Sequence, residues 1–292
     1  MKKLLFTICC GLLLTTASQA QENVYPAKEY KGLLFITNAT VHVGNGQVME
    51  GTTIEVRNGK IDKIGKDIPV PQGDVKVFDV KGKHVYPGLI LSVSQLGLVE
   101  VNSVRATIDH TELGLYNPNI RSIVAYNSDS KVIGTLRSNG VLFANVVPQG
   151  ATISGSSTVV QLDAWNWEDA AYKADGQIHM NMPSLLPRPS RFAAFLGQAE
   201  SRSSADQVKE ALNRVEEIKQ FFHQAKAYHK EATHAKTNLK FEATKGLFDK
   251  KQKLFVHCDI VKEMLVAIDF AKEFGFEVVI VGGSESWQIA DL

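Results

Sequence analysis

One short segment near the end of the chain combines three residue types that bind metals. His257, Cys258 and Asp259 follow one another, and imidazole, thiolate and carboxylate are the side-chain groups that ligate zinc. Together they would hold a single divalent metal ion. The alternative is a buried strand end with a hydrogen-bonded imidazole and an inert thiol. We favour this alternative because the cluster has no partner ligands nearby in the sequence.

Three other histidines lie in a segment rich in lysine and glutamate. His223, His229 and His234 are separated by six and five positions. Side chains that share one helix face are three or four positions apart. We therefore predict a solvated surface here rather than a set of metal ligands.

Two further segments contain residue types found in binding sites. Residues 150–157 have the glycine spacing of a phosphate-binding loop without its lysine, so we predict a surface loop. Residues 163–169 place two tryptophans among carboxylates. They fit the lining of a binding cleft and a helix N-terminus with tryptophans in the core equally well. No Gly-x-Ser-x-Gly element or Cys/His pair indicates nucleophilic catalysis.

The first elements that would position these groups are strands. Short runs rich in β-branched residues alternate with turn residues. They predict strands at 33–37, 52–57, 60–64 and 75–80. Asn58-Gly59 predicts a type I′ hairpin, because both central residues of that turn need positive φ. We predict a small β-sandwich over residues 21–86.

After Pro87-Gly88 the pattern changes to strands that alternate with helices. The predicted strands are 89–93, 141–147, 254–257 and 277–281, and the predicted helices are 128–138, 203–232 and 261–274. The continuously apolar run at 89–93 is typical of a parallel strand buried on both faces. We predict a parallel sheet with helices over 87–292, with an irregular insertion at about 148–200.

The longest predicted helix carries its own boundary and packing signals. Ser204–Gln207 resembles a capping box at its start. Its apolar stripe is predicted to consist of four residues: Val208, Leu212, Val215 and Ile218.

The first twenty residues have the features of a secretory signal peptide. Lys2 and Lys3 precede an apolar run from Leu4 to Leu14, and small residues end at Ala20. Cleavage after Ala20 would export the chain to the periplasm or the extracellular space. It would also change the formal charge from +1 to −1 and leave Cys258 as the single cysteine. A disulfide within the exported chain is then excluded, and a near-neutral chain is not expected to bind nucleic acid.

The junction between the two predicted domains resembles a known family. The segments "NATVHVGNG…GTTIEVRNGKIDKIGK", from Asn38 to Lys66, and "VFDVKGKHVYPGLI", from Val77 to Ile90, are similar to the amidohydrolase superfamily. The likeness is greatest to its secreted, imidazolonepropionase-like branch. This resemblance implies the α/β class, with an N-terminal β-sandwich and, over residues 87–292, an incomplete TIM-type (β/α)8 metal-dependent hydrolase barrel.

The resemblance also identifies positions at which such proteins bind their metal. The family's His-x-His after the first barrel strand corresponds to Val93 and Gln95, and a later histidine corresponds to Gly282. Valine cannot ligate a metal and a neutral amide is a poor zinc ligand. His257 matches the histidine of a further strand. The metal site implied by the resemblance is therefore degenerate, with His257 as the retained ligand.

Two functions follow from this resemblance. The first is hydrolysis of a non-peptide carbon–nitrogen bond, or of a related small amide or dipeptide-like substrate, with a zinc-like divalent metal. The second is a non-catalytic homologue, with no metal, that binds a ligand or serves as a scaffold. Such a homologue would form an oligomer with itself or with a complete amidohydrolase. The chain ends soon after the sixth barrel strand of the resemblance, so we expect either truncation or a partner that completes the barrel. No membrane contact is expected after signal cleavage.

Overall fold

A computed structural model describes residues 26–186, 203–231 and 233–292. The predicted signal peptide and residues 187–202 of the predicted insertion lie outside these ranges. The strands are β1 (Leu33–His42), β2 (Val48–Arg57), β3 (Lys60–Gly65), β4 (Val75–Asp79), β5 (His84–Val85), β6 (Leu89–Ser94), β7 (Val141–Val146), β8 (Ile153–Gln161), β9 (Ala171–Asn181), β10 (Lys253–Cys258) and β11 (Val278–Gly282). The helices are α1 (Lys131–Ser138), α2 (Trp167–Ala170), α3 (Ser204–Lys230), α4 (Leu239–Glu242), α5 (Lys245–Phe248) and α6 (Val261–Phe274).

Strands β1 to β5 form the first sheet, with the order β3-β2-β1-β4 and β5 paired to β1. The hairpin between β2 and β3 is confirmed, since Asn58 has φ 51° and Gly59 has φ 75°. β4 and β5 both run parallel to β1, one at each end of it. Ala39, Val41 and Ile54 form a small core on this sheet. The described strands make one layer here, and the sandwich remains a prediction.

Strands β6 to β11 form a second sheet of six strands that curls like half of a barrel, in the order β11-β10-β9-β8-β7-β6. β6 with β7, β9 with β10, and β10 with β11 pair in parallel. β8 is antiparallel to both of its neighbours. The expected alternation of parallel strands and helices is therefore interrupted by one reversed strand, and the sheet is mixed.

The prediction of irregular structure at 148–200 is wrong for two long stretches, because β8 and β9 both lie there. The prediction of a surface loop at 150–157 is wrong as well, since Ser154, Ser156 and Ser157 are buried in β8. The small residues of this strand allow the segment between β6 and α1 to pack closely. The Ser156 amide donates to the Ile120 carbonyl at 2.7 Å, and a Cβ on Gly155 would lie 2.5 Å from that same oxygen.

Strand β6 differs from its prediction in burial rather than in position. It lies at the edge of the second sheet, where Leu89 and Ile90 are 60% and 63% exposed. A continuous apolar run predicted burial on both faces, but an edge strand has a neighbour on one side alone.

The helices begin and end near the predicted residues. The cap of α3 lies one position before the predicted one, because the Ser203 side chain accepts from the Asp206 amide. Its buried stripe is also shifted: Leu212 is exposed, and the buried residues are Ala211, Val215, Ile218, Phe222 and Ala225. α6 ends at Gly275, which has φ 74°. The predicted parallel β10-α6-β11 unit is confirmed.

The main core lies between the second sheet and helices α3 and α6. Ile178, Met180 and Val256 from the strands contact Phe222 and Phe270 from the helices, and all are fully buried. Among the described residues, none of the helices has the length and apolarity that a membrane crossing requires.

Candidate functional site

Along β9 and β10, side chains that pack in the core alternate with polar side chains on the opposite face of the sheet. Val256 and Cys258 belong to the core on the helix side. Successive side chains of a strand point to opposite faces, so His257 lies on the other, concave face. On β9 the same rule places His179 on the concave face, between the core residues Ile178 and Met180.

The concave face carries a continuous chain of four hydrogen-bonded side chains. His257 Nε2 lies 2.9 Å from His179 Nδ1. His179 Nε2 lies 2.8 Å from Ser157 Oγ. The Ser157 hydroxyl donates to Gln177 Oε1 at 2.8 Å. Three neighbouring strands, β8, β9 and β10, contribute these residues, so the chain depends on the pairing of the sheet.

The direction of each hydrogen bond follows from the number of available protons. Ser157 has one hydroxyl proton, and Gln177 receives it. His179 must then donate from Nε2 to Ser157, and its Nδ1 must accept from His257 Nε2–H. This assignment, which follows the observed orientation of the Gln177 amide, leaves Nδ1 of His257 unprotonated as that ring's acceptor.

Burial keeps both imidazoles neutral. His179 is fully buried, and desolvation, together with the neighbouring His257, lowers its pKa to about 3. Desolvation also lowers the pKa of His257. Two neutral imidazoles can each donate once and accept once, as the chain of hydrogen bonds requires.

Cys258 does not join this group. Its thiol belongs to the core on the helix side of the sheet, and burial raises its pKa to about 12, with further contributions from Glu263 and Asp259. A protonated thiol is neither a nucleophile nor a good metal ligand. The alternative favoured from the sequence, an inert buried thiol beside a hydrogen-bonded imidazole, describes the geometry of His257 and Cys258.

The three positions at which the resemblance predicts missing histidines lie at or near the carboxyl ends of the parallel strands, the same end of the sheet as His257. Val93 is in β6 and Gln95 directly follows that strand, while Gly282 is the last residue of β11 and pairs with Cys258. Gly282 has φ 93°, and a Cβ on it would lie 2.5 Å from Asp259 Oδ1. A histidine would therefore require a different backbone at Gly282 and a displaced Asp259.

The described residues do not contain a complete metal centre. In ranges 26–186, 203–231 and 233–292 no three His, Cys, Asp or Glu side chains come together in a way that could hold a metal ion. His257 has the free Nδ1 that a ligand needs, whereas both ring nitrogens of His179 take part in hydrogen bonds. A catalytic zinc usually has three protein ligands, so the described residues by themselves do not fit one.

The other histidines of the sequence analysis serve as structural contacts. His223 is exposed, as predicted, and lies 2.7 Å from the Glu273 carboxylate. The predicted solvation is wrong for His229 and His234, which are half-buried. His229 reaches a backbone carbonyl of α4 at 2.8 Å, and His234 stacks on Tyr228 with ring centroids 3.6 Å apart.

The two tryptophans of residues 163–169 differ in their surroundings, and each fits a different one of the two predicted roles. Asn166 caps α2 by accepting from the Asp169 amide at 2.8 Å, and Trp167 packs against a core cluster. The helix N-terminus with a tryptophan packed against the core is thus confirmed for Trp167, which is half-buried. Trp165 is 55% exposed, and a role in a cleft stays a prediction for that residue.

A cavity of about 410 Å³, lined by both polar and apolar residues, lies beside the long segment that follows β6. Arg105, His110, Asn119 and Arg121 contribute to its lining. Loops after the carboxyl ends of barrel strands are the usual place for ligand sites in barrel proteins. The cavity is therefore a second candidate for ligand binding.

Sequence reasoning missed His179, although a signal for it exists. Gln177, His179 and Asn181 alternate with Ile178, Met180 and Met182 in a segment read as irregular. This period of two is the pattern of a half-buried strand. Read that way, it would have placed His179 on the polar face of a strand.

Comparison with known proteins gives a structural match. No family model matches the sequence, and no curated protein matches it significantly. The fold is similar to an amidohydrolase from Thermotoga maritima, with a TM-score of 0.67 and 26% sequence identity. The match covers 88% of this chain and 66% of that one. This likeness supports the relationship to amidohydrolases that the Pro87-Gly88 junction indicates.

Two weaker structural matches were also found. A prolidase complexed with N-methylphosphonate-L-proline has a TM-score of 0.38 and 14% identity, covering 85% of this chain and 66% of that one. Molinate hydrolase has a TM-score of 0.33 and 15% identity, covering 82% of this chain and 56% of that one. At these scores neither contributes to the argument.

Proposed function

We propose that this protein is an amidohydrolase-type hydrolase that acts on a non-peptide carbon–nitrogen bond, or on a related small amide or dipeptide-like substrate. The observation that carries the proposal is the similarity in fold to the Thermotoga maritima amidohydrolase along 88% of the chain. His257 supports it, because it lies at the carboxyl end of β10, the end at which barrel enzymes hold their reactive groups. The imidazolonepropionase-like branch is part of the proposal.

In this proposal His257 contacts the substrate or its metal, and His179 holds His257 in position. The bond between the two rings keeps the proton of His257 on Nε2 and leaves Nδ1 free to accept a proton or to ligate a divalent metal. When bound, a zinc-like ion would supply an activated water and polarise the scissile carbonyl. Because the described residues do not provide three ligands, no step of the reaction is assigned to the metal.

A second function, that of a non-catalytic homologue, is favoured by residues in the two edge strands of the second sheet, β6 and β11. Val93 cannot ligate a metal, and Gly282 has no room for a side chain beside Asp259. These residues favour a non-catalytic homologue that binds a ligand. The cavity lined by Arg105 and His110 could hold that ligand. The partner would be a second copy or a complete amidohydrolase.

Metal analysis combined with an activity assay separates the two functions. The exported chain, purified without an affinity tag and dialysed, is analysed for bound zinc and assayed on a panel of N-acyl amino acids and dipeptides. Hydrolysis predicts about one equivalent of metal, activity lost with a chelator, and a large decrease in both for His257→Ala. Less than about a tenth of an equivalent, together with no hydrolysis, would rule out the first function.

The non-catalytic function requires its own positive result. It predicts that a dipeptide or amide binds the metal-free protein in calorimetry without being hydrolysed. Analytical ultracentrifugation, alone and with a complete amidohydrolase from the same cell, tests the proposed pairing. A monomer that binds no panel compound contradicts this function.

Export is a separate proposal that rests on the first twenty residues. Expression in a bacterium with intact secretion should yield a periplasmic or extracellular chain that begins at Gln21. N-terminal sequencing of the purified protein checks this, and a cytoplasmic chain that retains Lys2 and Lys3 would contradict it.

A further inference from the structure

The first sheet contains a pair of histidines that the proposed function does not use. His42 ends β1 and His84 begins β5, which run parallel to each other. His42 Nε2 and His84 Nδ1 are 2.8 Å apart. Both side chains are accessible to solvent, so an ion could reach them from water.

Neighbouring groups hold these rings in place. The Tyr86 ring stacks on His42 with centroids 4.2 Å apart and an interplanar angle of 15°. Thr40 pairs with His84 and Val41 pairs with Val85, which fixes the backbones of the two histidines relative to each other. Little conformational entropy remains to be lost when one ion binds both rings.

The two nitrogens that face each other form a hydrogen bond of 2.8 Å, so one of them donates a proton to the other. A divalent ion that takes the place of this proton would be bound by both nitrogens, each at about 2.0 Å. Among the divalent metals that imidazole binds, Cu(II) forms the most stable complexes and Ni(II) forms less stable ones.

We propose that His42 and His84 form a two-histidine site for Cu(II), which would also bind Ni(II) more weakly. To bind the ion, each imidazole gives up its hydrogen bond to the other and offers a lone pair, and a proton stays on the remaining nitrogen of each ring. Water completes the coordination, since no third His, Cys, Asp or Glu joins the pair among the described residues. The site is independent of the proposed hydrolase function and lies on the other sheet.

The test is a copper titration of the tag-free exported chain. Calorimetry and the nitrogen splitting in the electron paramagnetic resonance spectrum give the affinity and the number of bound imidazoles. We expect one Cu(II) with two nitrogen ligands, bound more tightly than Ni(II). His42→Ala and His84→Ala should each weaken binding at least tenfold.

Two variants serve as controls for where the copper binds. His223→Ala removes an exposed histidine that pairs with Glu273, and His257→Ala removes the histidine of the concave face. Neither should change the affinity of this copper ion by more than twofold. Unchanged copper binding in the His42→Ala/His84→Ala double variant, or no binding of copper at 100 times the protein concentration, would overturn the proposal. Circular dichroism checks that every variant is folded.

Discussion

The two histidine pairs of this protein have nearly the same geometry and very different surroundings. The ring nitrogens of His179 and His257 are 2.9 Å apart, and those of His42 and His84 are 2.8 Å apart. His179 is fully buried and bonded through both nitrogens, whereas the other pair is in contact with water. The comparison shows that the free energy attached to one contact depends on what replaces it when it is lost.

When a hydrogen bond of the buried pair is lost, the groups left behind are unsatisfied polar groups in an apolar interior. Ser157 and His257 would both lose a partner, and no water is available at the position of a fully buried ring. For the exposed pair, water takes over each hydrogen bond. We therefore expect the buried pair to matter for stability and the exposed pair to matter for ligands.

The largest expected effect is that of His179→Ala. Removing a buried ring leaves a cavity and two unpaired polar groups, which should lower the free energy of unfolding by about 3 kcal/mol. Urea unfolding of the variant and of the original chain measures this. A loss below about 1 kcal/mol would mean that the polar chain on the concave face is not a stabilising element.

The next effect is a dependence of stability on pH. Because the folded pKa of His179 is about 3 and its ordinary value is 6.5, the unfolded chain takes up a proton below pH 6.5 and the folded one does not. Stability is then lost as the pH falls, by about 2 kcal/mol between pH 7 and pH 5 from this residue. Urea unfolding at both pH values measures the loss. His179→Gln should remove most of it and His42→Ala should not, and equal losses in all three proteins would contradict the assignment.

A smaller effect is expected at the strand end beside His257. Gly275 and Gly282 both have positive φ, so an alanine is strained at either position. The added Cβ would meet no atom at Gly275, whereas at Gly282 it would lie against Asp259. We expect Gly282→Ala to cost about 1 kcal/mol more than Gly275→Ala. Thermal unfolding of the two variants measures the difference. Equal costs would show that Asp259 moves away freely and that the positive φ alone opposes a side chain at position 282.

The smallest effect is expected for His84→Ala in the absence of metal. Exposed side chains whose partners are rehydrated usually change stability by less than about 0.5 kcal/mol. Urea unfolding in the presence of a chelator isolates this value. A loss close to that of His179→Ala would remove the distinction between the two pairs.

Local signals predicted most elements of the fold correctly. Asn58-Gly59 predicted its hairpin because positive φ is a property of those residues. The helix predicted at 261–274 has the same bounds as α6, which is followed by Gly275 with φ 74°. These features depend on nearest neighbours along the chain, which sequence patterns describe directly.

The errors arose where distant residues decide burial. β8 contains Ser and Gly because the segment around Ile120 packs against it, and composition alone predicted a loop there. Leu89 and Ile90 predicted a fully buried strand, but their place at a sheet edge leaves them exposed. The capping residue of α3 is displaced by one position, which is within the usual uncertainty of a helix boundary.

The sequence by itself determined the Asn58-Gly59 hairpin, the three longer helices to within a few residues, and the junction at Pro87-Gly88 that resembles amidohydrolases. Through that resemblance it predicts that Val93, Gln95 and Gly282 stand where such proteins have histidines. The tertiary structure alone decided that His257 has His179 as its partner, since the two are 78 positions apart and meet because β9 and β10 pair. The physical reason is that a protonation state is set by burial and hydrogen-bond partners, which sheet topology provides and residue order does not.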